Sequence, residues 1–157
     1  MAAIKNPRKG FNFKIEIAGA GFLNSFLFQD VELGEIEIEA VPHGDTNHDV
    51  NTAGRVKYGN TKLQKLLTTT PTDKANQFFF DWGVDCADGM TGGGLPPATT
   101  WKDIYIYELA EDNRMVLNTW VLYNCWPTRI NGQSFKRMEG ANSLESLEIV
   151  NEVIDKL

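Results

Sequence analysis

The sequence predicts a mainly β protein, a barrel or sandwich with one flanking α-helix. Three observations carry this. The segments FNFKIEIAG (residues 11–19) and EIEIE (residues 35–39) alternate apolar and polar residues with period two, which a strand produces and a helix does not. WKDIYIYEL (101–109) and RMVLNTWVLYNCW (114–126) are rich in β-branched and aromatic residues and flank the short linker AEDN, the signature of a hairpin. Only one stretch carries helix-start signals.

Taken in order, the first strand spans 11–19, with Phe11, Phe13, Ile15 and Ile17 on one face and Asn12, Lys14 and Glu16 on the other; Gly19 and Gly21 end it. A long extended segment covers 26–41, with Ile36 and Ile38 on one face and Glu35, Glu37 and Glu39 on the other. HGDTNHDVNTAGRVKYG (43–59) is Gly-, Asn- and Asp-rich, so 41–57 is predicted to be a long loop. KYGNTKLQKLL (57–67) follows as a strand. Thr70 as cap, Pro71 at the first helical position and Asp73 in the first turn start a helix over 71–82. Phe78, Phe79 and Trp82 share its apolar face. Residues 85–100 form a Gly/Pro-rich surface loop, and 127–142 a second loop. The closing run SLESLEIVNEVIDKL (143–157) is ambiguous by periodicity alone. As a strand it places Glu145, Leu147, Ile149, Asn151 and Val153 on one face and Ser146, Glu148, Val150 and Glu152 on the other. No repeat or linker divides the chain, so 1–157 is expected to be a single domain.

Bulk composition narrows the function. The chain has 157 residues, 42% hydrophobic and 23% charged, enough for one sizeable core, with a net charge of −6. An acidic chain is not expected to bind nucleic acid stably, because that affinity comes from Lys and Arg neutralising phosphates. The basic, polar start MAAIKNPRKG lacks the apolar segment of a signal peptide. No window supplies the roughly 20 apolar residues of a membrane span, so no membrane anchor is expected.

No catalytic constellation is visible. His43 and His48, with Asp45 and Asp49 close by, invite a metal reading. Their spacing within a loop fixes no tetrahedral geometry and is not the helical HExxH pattern, so no metal or cofactor is expected. The four serines sit in no GxSxG context. GGGL lacks the Lys-Ser/Thr that completes a phosphate-binding loop. Cys86 and Cys125 belong to no CxxC pair; Cys125, within an aromatic strand, reads as a buried, inert thiol.

Three stretches resemble a known family: FNFKIEI followed by a long second strand; AGRVKYGNTKLQK, similar to that family's Lys-Tyr-Gly-Asn motif and the strand after it; and TWVLYNCWPTRING leading to ANSLESLEIVNEVI, similar to its Asn-Ala-aromatic-Pro turn and closing strand. FFFDW fits the end of its helix. The family is the inner tail tube protein of contractile phage tails and phage-derived contractile injection systems. Here Cys125 stands where Ala is common, Ala53-Gly54 replaces Pro-Gly, and the 85–100 loop is longer and richer in glycine.

The resemblance implies hexameric rings stacked into a hollow tube. A contractile sheath surrounds it, baseplate and tail-terminator proteins cap it, and it conducts DNA, a tape measure protein or effectors. It implies a virion, or an assembly made in the bacterial cytoplasm, and no enzyme chemistry. It resolves the C-terminal run as a strand. On this reading Ile36 and Ile38 pack inward, and Glu35, Glu37, Glu39, Glu148 and Glu152 line an acidic lumen. His43, Asp45, His48, Asp49, Arg55, Lys57 and Tyr58 make contacts between subunits or stacked rings. Alternative readings are a secretion-system tube that binds effectors in its lumen, and a small β-barrel that binds ligands.

Overall fold

The structure is a computed structural model that describes residues 10, 12–18, 28–45, 47–67, 77–112, 114–130, 137 and 144–157. The expected strand start at Phe11, its end at Gly19 and Gly21, the helix start at Thr70–Asp73 and most of the second loop lie outside them.

The described residues form β1 (Phe13–Ile17), β2 (Phe28–Glu32), β3 (Ile36–Asp45), β4 (His48–Tyr58), β5 (Thr61–Leu66), α1 (Phe78–Cys86), α2 (Pro97–Thr100), β6 (Lys102–Leu109), β7 (Val116–Ile130), β8 (Leu144–Val150) and β9 (Val153–Lys156). All ladders are antiparallel. Seven strands make one sheet in the order β1-β6-β7-β8-β5-β2, with β9 also on β7; β3 and β4 form a separate two-stranded sheet.

β7 belongs to both halves of the large sheet, and its bend has a local cause. Between the pairs Ile104↔Leu122 and Lys102↔Cys125, Asp103 faces two residues of β7, Tyr123 and Asn124. This is a β-bulge, which kinks a strand and raises its twist. Asn124 takes φ 53°, a left-handed conformation that Asn tolerates better than most residues. Its amide donates to Asp103 Oδ1 at 3.0 Å, and its side chain donates to Glu152. The strand then continues through Pro127 to Ile130, so the expected loop start at 127 is corrected. Beyond the bend, β7 pairs among the described residues with β8 alone, an edge position of the kind in which a strand tolerates proline.

The two halves share one core. Ile15, Ile17, Ile104, Ile106 and Leu122 come from one half and Phe28, Leu63, Leu147 and Ile149 from the other, with Phe79 and Trp82 of α1 among them. Each fully buried side chain of this size contributes roughly 1.5–3 kcal/mol. Trp82 Nε1 donates to the Thr100 carbonyl at 2.7 Å, joining α1 to α2. Gly83 lets α1 close on β7, since a Cβ there would come within 2.8 Å of Ile130 Cδ1.

Period two locates β1, and β-branched and aromatic content locates β6 and β7. The closing run is strand, as the resemblance implies, with Glu145, Leu147, Ile149 and Asn151 buried, but it breaks at Asn151–Glu152 into β8 and β9, so Val153 leaves that face and is exposed. Other expectations are corrected. The described part of the segment expected over 26–41 is two strands broken at Leu33–Gly34–Glu35, and of 57–67 the first two residues end β4 while β5 begins only at Thr61. The helix runs past Trp82 to Cys86, and a second single-turn helix ends the Gly/Pro-rich stretch. That stretch is tied by the Leu95 amide to the Asp85 carbonyl and the Asp88 amide to the Gly93 carbonyl, at 2.9 and 2.7 Å.

Candidate functional site

The largest correction concerns 41–57. It is not an irregular loop: β3 and β4 pair from Ile36↔Tyr58 out to Asp45↔His48. One bulge interrupts the ladder, with Glu39 opposite Gly54 and Arg55. Ile36, Ile38 and Ala40 share a face with Tyr58, Val56 and Ala53. Glu37 lies opposite Lys57 on the other face, which also carries Glu39, Val41 and His43.

Tyr58 packs against the core, and the apolar face of the hairpin continues that contact outward beyond the body. Ile36 and Ile38 therefore share the apolar face expected of them but are not packed inward, being 51% and 59% exposed. Val56 on that face is exposed too, as are Val41 and Val50 on the opposite face. An isolated two-stranded hairpin is marginally stable in water, and contiguous exposed apolar residues mark an interaction surface.

The hairpin's root is more tightly built than its strands. The incoming leg passes through Gly34 and the outgoing leg through Gly59, and the two backbones touch: a Cβ on Gly34 would fall on the Gly59 carbonyl. The Gly59 amide donates to the Glu35 carbonyl at 2.8 Å. Beneath them lies a buried polar pair. Thr61 Oγ1 donates to Asn151 Oδ1 at 2.8 Å and accepts from the Gly34 amide at 3.2 Å; Asn151 Nδ2 donates to the Gly59 carbonyl at 3.2 Å. Asn60 Nδ2 donates to Glu148 Oε1 at 2.9 Å. Of this neighbourhood the sequence points to Tyr58, Glu35 and Glu148 as site residues, but not to Gly34, Gly59, Thr61 or Asn151. The available signal was Asn151, a polar residue on the apolar face of a strand.

The candidate site residues fall into three regions. Glu37, Glu39, His43, Asp45, His48, Asp49, Arg55, Lys57 and Tyr58 all belong to the hairpin, and Glu35 stands at its root. Glu148 lies instead on the outer face of the β2-β5-β8-β7 half, in a row defined by register: Glu32↔Lys62, Lys62↔Glu148 and Arg129↔Glu148. Charge alternates across that row, so Lys62 and Arg129 balance the two acids. Glu152 sits in the β8–β9 turn, bonded to Asn124.

Burial raises the Cys86 thiol above its ordinary value. Burial, with Asp103 nearby, pushes Cys125 up to about 12, which keeps it protonated. Among the described residues no group of three or more His, Cys, Asp or Glu is placed to hold a metal ion, and no helix is long and apolar enough to cross a membrane.

Solved structures share this fold. A chain in the structure of the anti-feeding prophage cap, a tube-terminating cap, matches with a TM-score of 0.76 and 15% identity over 100% of this chain and 95% of its own. A chain in the sheath/tube terminator of an extracellular contractile injection system (PVC, extended state) matches at 0.77 and 17% over 99% of both chains. One in the sheath–tube complex of that system matches at 0.73 and 16%, over 98% of this chain and 93% of its own. Comparison with curated proteins found no match. Residues 9–155 match the T4-like virus tail tube protein gp19 family, and the chain belongs to that family.

Proposed function

We infer that the chain is the structural subunit of a contractile-tail tube, in which copies close into hexameric rings and the rings stack into a hollow conduit. The family match across residues 9–155 carries this reading. The β3–β4 hairpin supplies a physical means. It pairs with no other described strand and exposes Ile36, Ile38 and Val56. The occupant of that surface is a second copy of the chain in the adjoining ring, a heterologous contact that repeats along the axis. His43, Asp45, His48, Asp49, Arg55 and Lys57 travel with the hairpin and border that contact, as do Glu37 and Glu39.

The bore falls to the outer face of the β2-β5-β8-β7 half, with Glu148 in it. Because Lys62 and Arg129 alternate there with Glu32 and Glu148, this band is charge-mixed rather than acidic, and gives passing DNA or protein neither a strong hold nor strong repulsion. Sheath and baseplate proteins are the outer partners on this reading, and it assigns no chemistry to the chain.

Negative-stain microscopy of the purified chain tests the proposal. Rings and hollow rods are expected; a uniform population of monomers at high concentration would sink it. Ile38→Asp is expected to leave rings while raising the concentration needed for stacking at least ~10-fold, since burial of one such side chain is worth roughly 1.5–3 kcal/mol. Unchanged rods in that variant would remove the hairpin from the stacking contact. Arg55→Glu tests the charged face: weaker stacking with intact rings is expected, with an effect of only ~0–1 kcal/mol per contact.

A further inference from the structure

We propose that Thr61 and Asn151, with the Gly34–Gly59 crossing, form a lock that fixes the direction in which the β3–β4 hairpin leaves the body. This lock sets how readily a neighbouring copy is captured. The proposal rests on the reading of the hairpin as the stacking element.

Thr61 and Asn151 are both buried. A polar side chain in a core is costly unless its hydrogen bonds are made. Here they are spent on the hairpin. Thr61 takes the amide of Gly34 on the incoming leg, Asn151 holds the carbonyl of Gly59 on the outgoing leg, and the two side chains bond each other. The three bonds join chain segments 27, 92 and 90 residues apart. Each leg thus has its own anchor to the body, and the anchors meet at one point.

The hairpin shares no ladder with the large sheet, so its direction is not set by strand pairing. The two anchors and the glycine crossing take that role. Asn60 adds a bond from the next residue to Glu148, tying the root to the β8 strand that carries the mixed-charge row. Thr61 and Asn151 are therefore positioning residues: they do not touch the neighbouring copy but hold ready the element that does. A loosened root spreads the hairpin over many directions, and apparent affinity falls in proportion to the fraction that remains competent.

Thr61→Val removes the hydroxyl at nearly constant volume, and Thr61→Ser restores it. In Thr61→Val the Gly34 and Gly59 amides are expected to exchange hydrogen about tenfold faster, the scale of one lost hydrogen bond. Amides of β6 and β7 should keep wild-type protection. The concentration at which rings stack should rise by about the same factor, and Thr61→Ser should return both readouts toward wild type. Asn151→Leu should reproduce Thr61→Val. The proposal is overturned if root amides in Thr61→Val stay as protected as in wild type. It is equally overturned if β6 and β7 lose protection in step with the root, because the pair then serves the core as a whole. If wild-type chain forms no rods, the tube reading fails by itself, and the exchange data alone decide whether the lock exists.

Discussion

Gly34→Ala is expected to lower the melting temperature by roughly 6–12 °C, the shift that a loss of ~3 kcal/mol produces in a domain of this size. The new methyl would fall on the carbonyl of Gly59 and also within 3.2 Å of the Asn60 carbonyl carbon. Both are backbone, so no rotamer change relieves the overlap, and the penalty lies at the upper end of the ~1–3 kcal/mol usual for overpacking. Relief requires the two legs of the β3–β4 hairpin to separate. That stretches the bond from the Gly59 amide to Glu35 and the bonds of Thr61 and Asn151 to the same legs. Hydrogen exchange should therefore quicken first at the root. Gly89→Ala serves as the control, since a Cβ there meets nothing within 4 Å, and it should stay within about 0.5 kcal/mol of wild type. Equal melting temperatures for the two variants would mean that the crossing is not a steric constraint.

The root also shows where sequence reading stops. Period-two alternation is a record of one buried face. It locates β1 because Ile15 and Ile17 face the core; β6 and β7, whose Ile104, Ile106 and Leu122 face the same core, show instead in their β-branched and aromatic content. The hairpin has no core behind it within one chain. From Val41 to Gly54 the sequence therefore follows no apolar period, and its Gly, Asn, His and Asp content resembles that of a loop. Pro127 misleads in another way: proline stops an interior strand, but the far half of β7 lies on an edge. The helix signals at Thr70 and Pro71 fall outside the described residues, whereas Phe79 and Trp82, the anchors of α1, were visible in sequence.

The candidate site was legible by residue type more than by grouping. Residues 35–39 suggested one acidic surface together with Glu148 and Glu152. Register separates them: Glu37 and Glu39 stand on the hairpin, Glu148 stands in the large sheet between Lys62 and Arg129, and Glu152 turns toward Asn124. A period gives the face of a strand but not its neighbours, and those neighbours determine local charge. The useful anomalies were polar residues at core-facing positions. Asn151 continues the Leu147–Ile149 face and Lys65 the Leu63 face, and each belongs to a buried polar contact.

Lys65→Met should prove the more damaging substitution, costing about 3–5 kcal/mol at neutral pH, the usual consequence of removing one partner of a buried ion pair. Lys65 is 0% and Glu145 6% exposed. They face each other on β5 and β8, with Lys65 Nζ 3.6 Å from Glu145 Oε2 and 5.5 Å from the centre of the Phe79 ring. Burial raises the Glu145 carboxyl above its ordinary value of 4.5, and the nearby Lys65 charge opposes that rise. The raised value means that the folded chain holds this proton more firmly than the unfolded chain, so Glu145's contribution to stability falls as pH climbs above 4.5. Without Lys65 only burial remains, and this pH dependence steepens. The deficit of Lys65→Met should accordingly shrink as pH is lowered from 7 toward 4.5, where a neutral carboxyl no longer needs a counter-charge. Lys65→Met with Glu145→Leu should return to wild-type stability or exceed it, because an apolar pair of similar volume pays no desolvation cost. Urea melts of the three proteins at pH 7 and pH 5 decide the matter. A single variant within ~1 kcal/mol of wild type, or a deficit independent of pH, would show that the charges are not what holds β5, β8 and α1 together at this point.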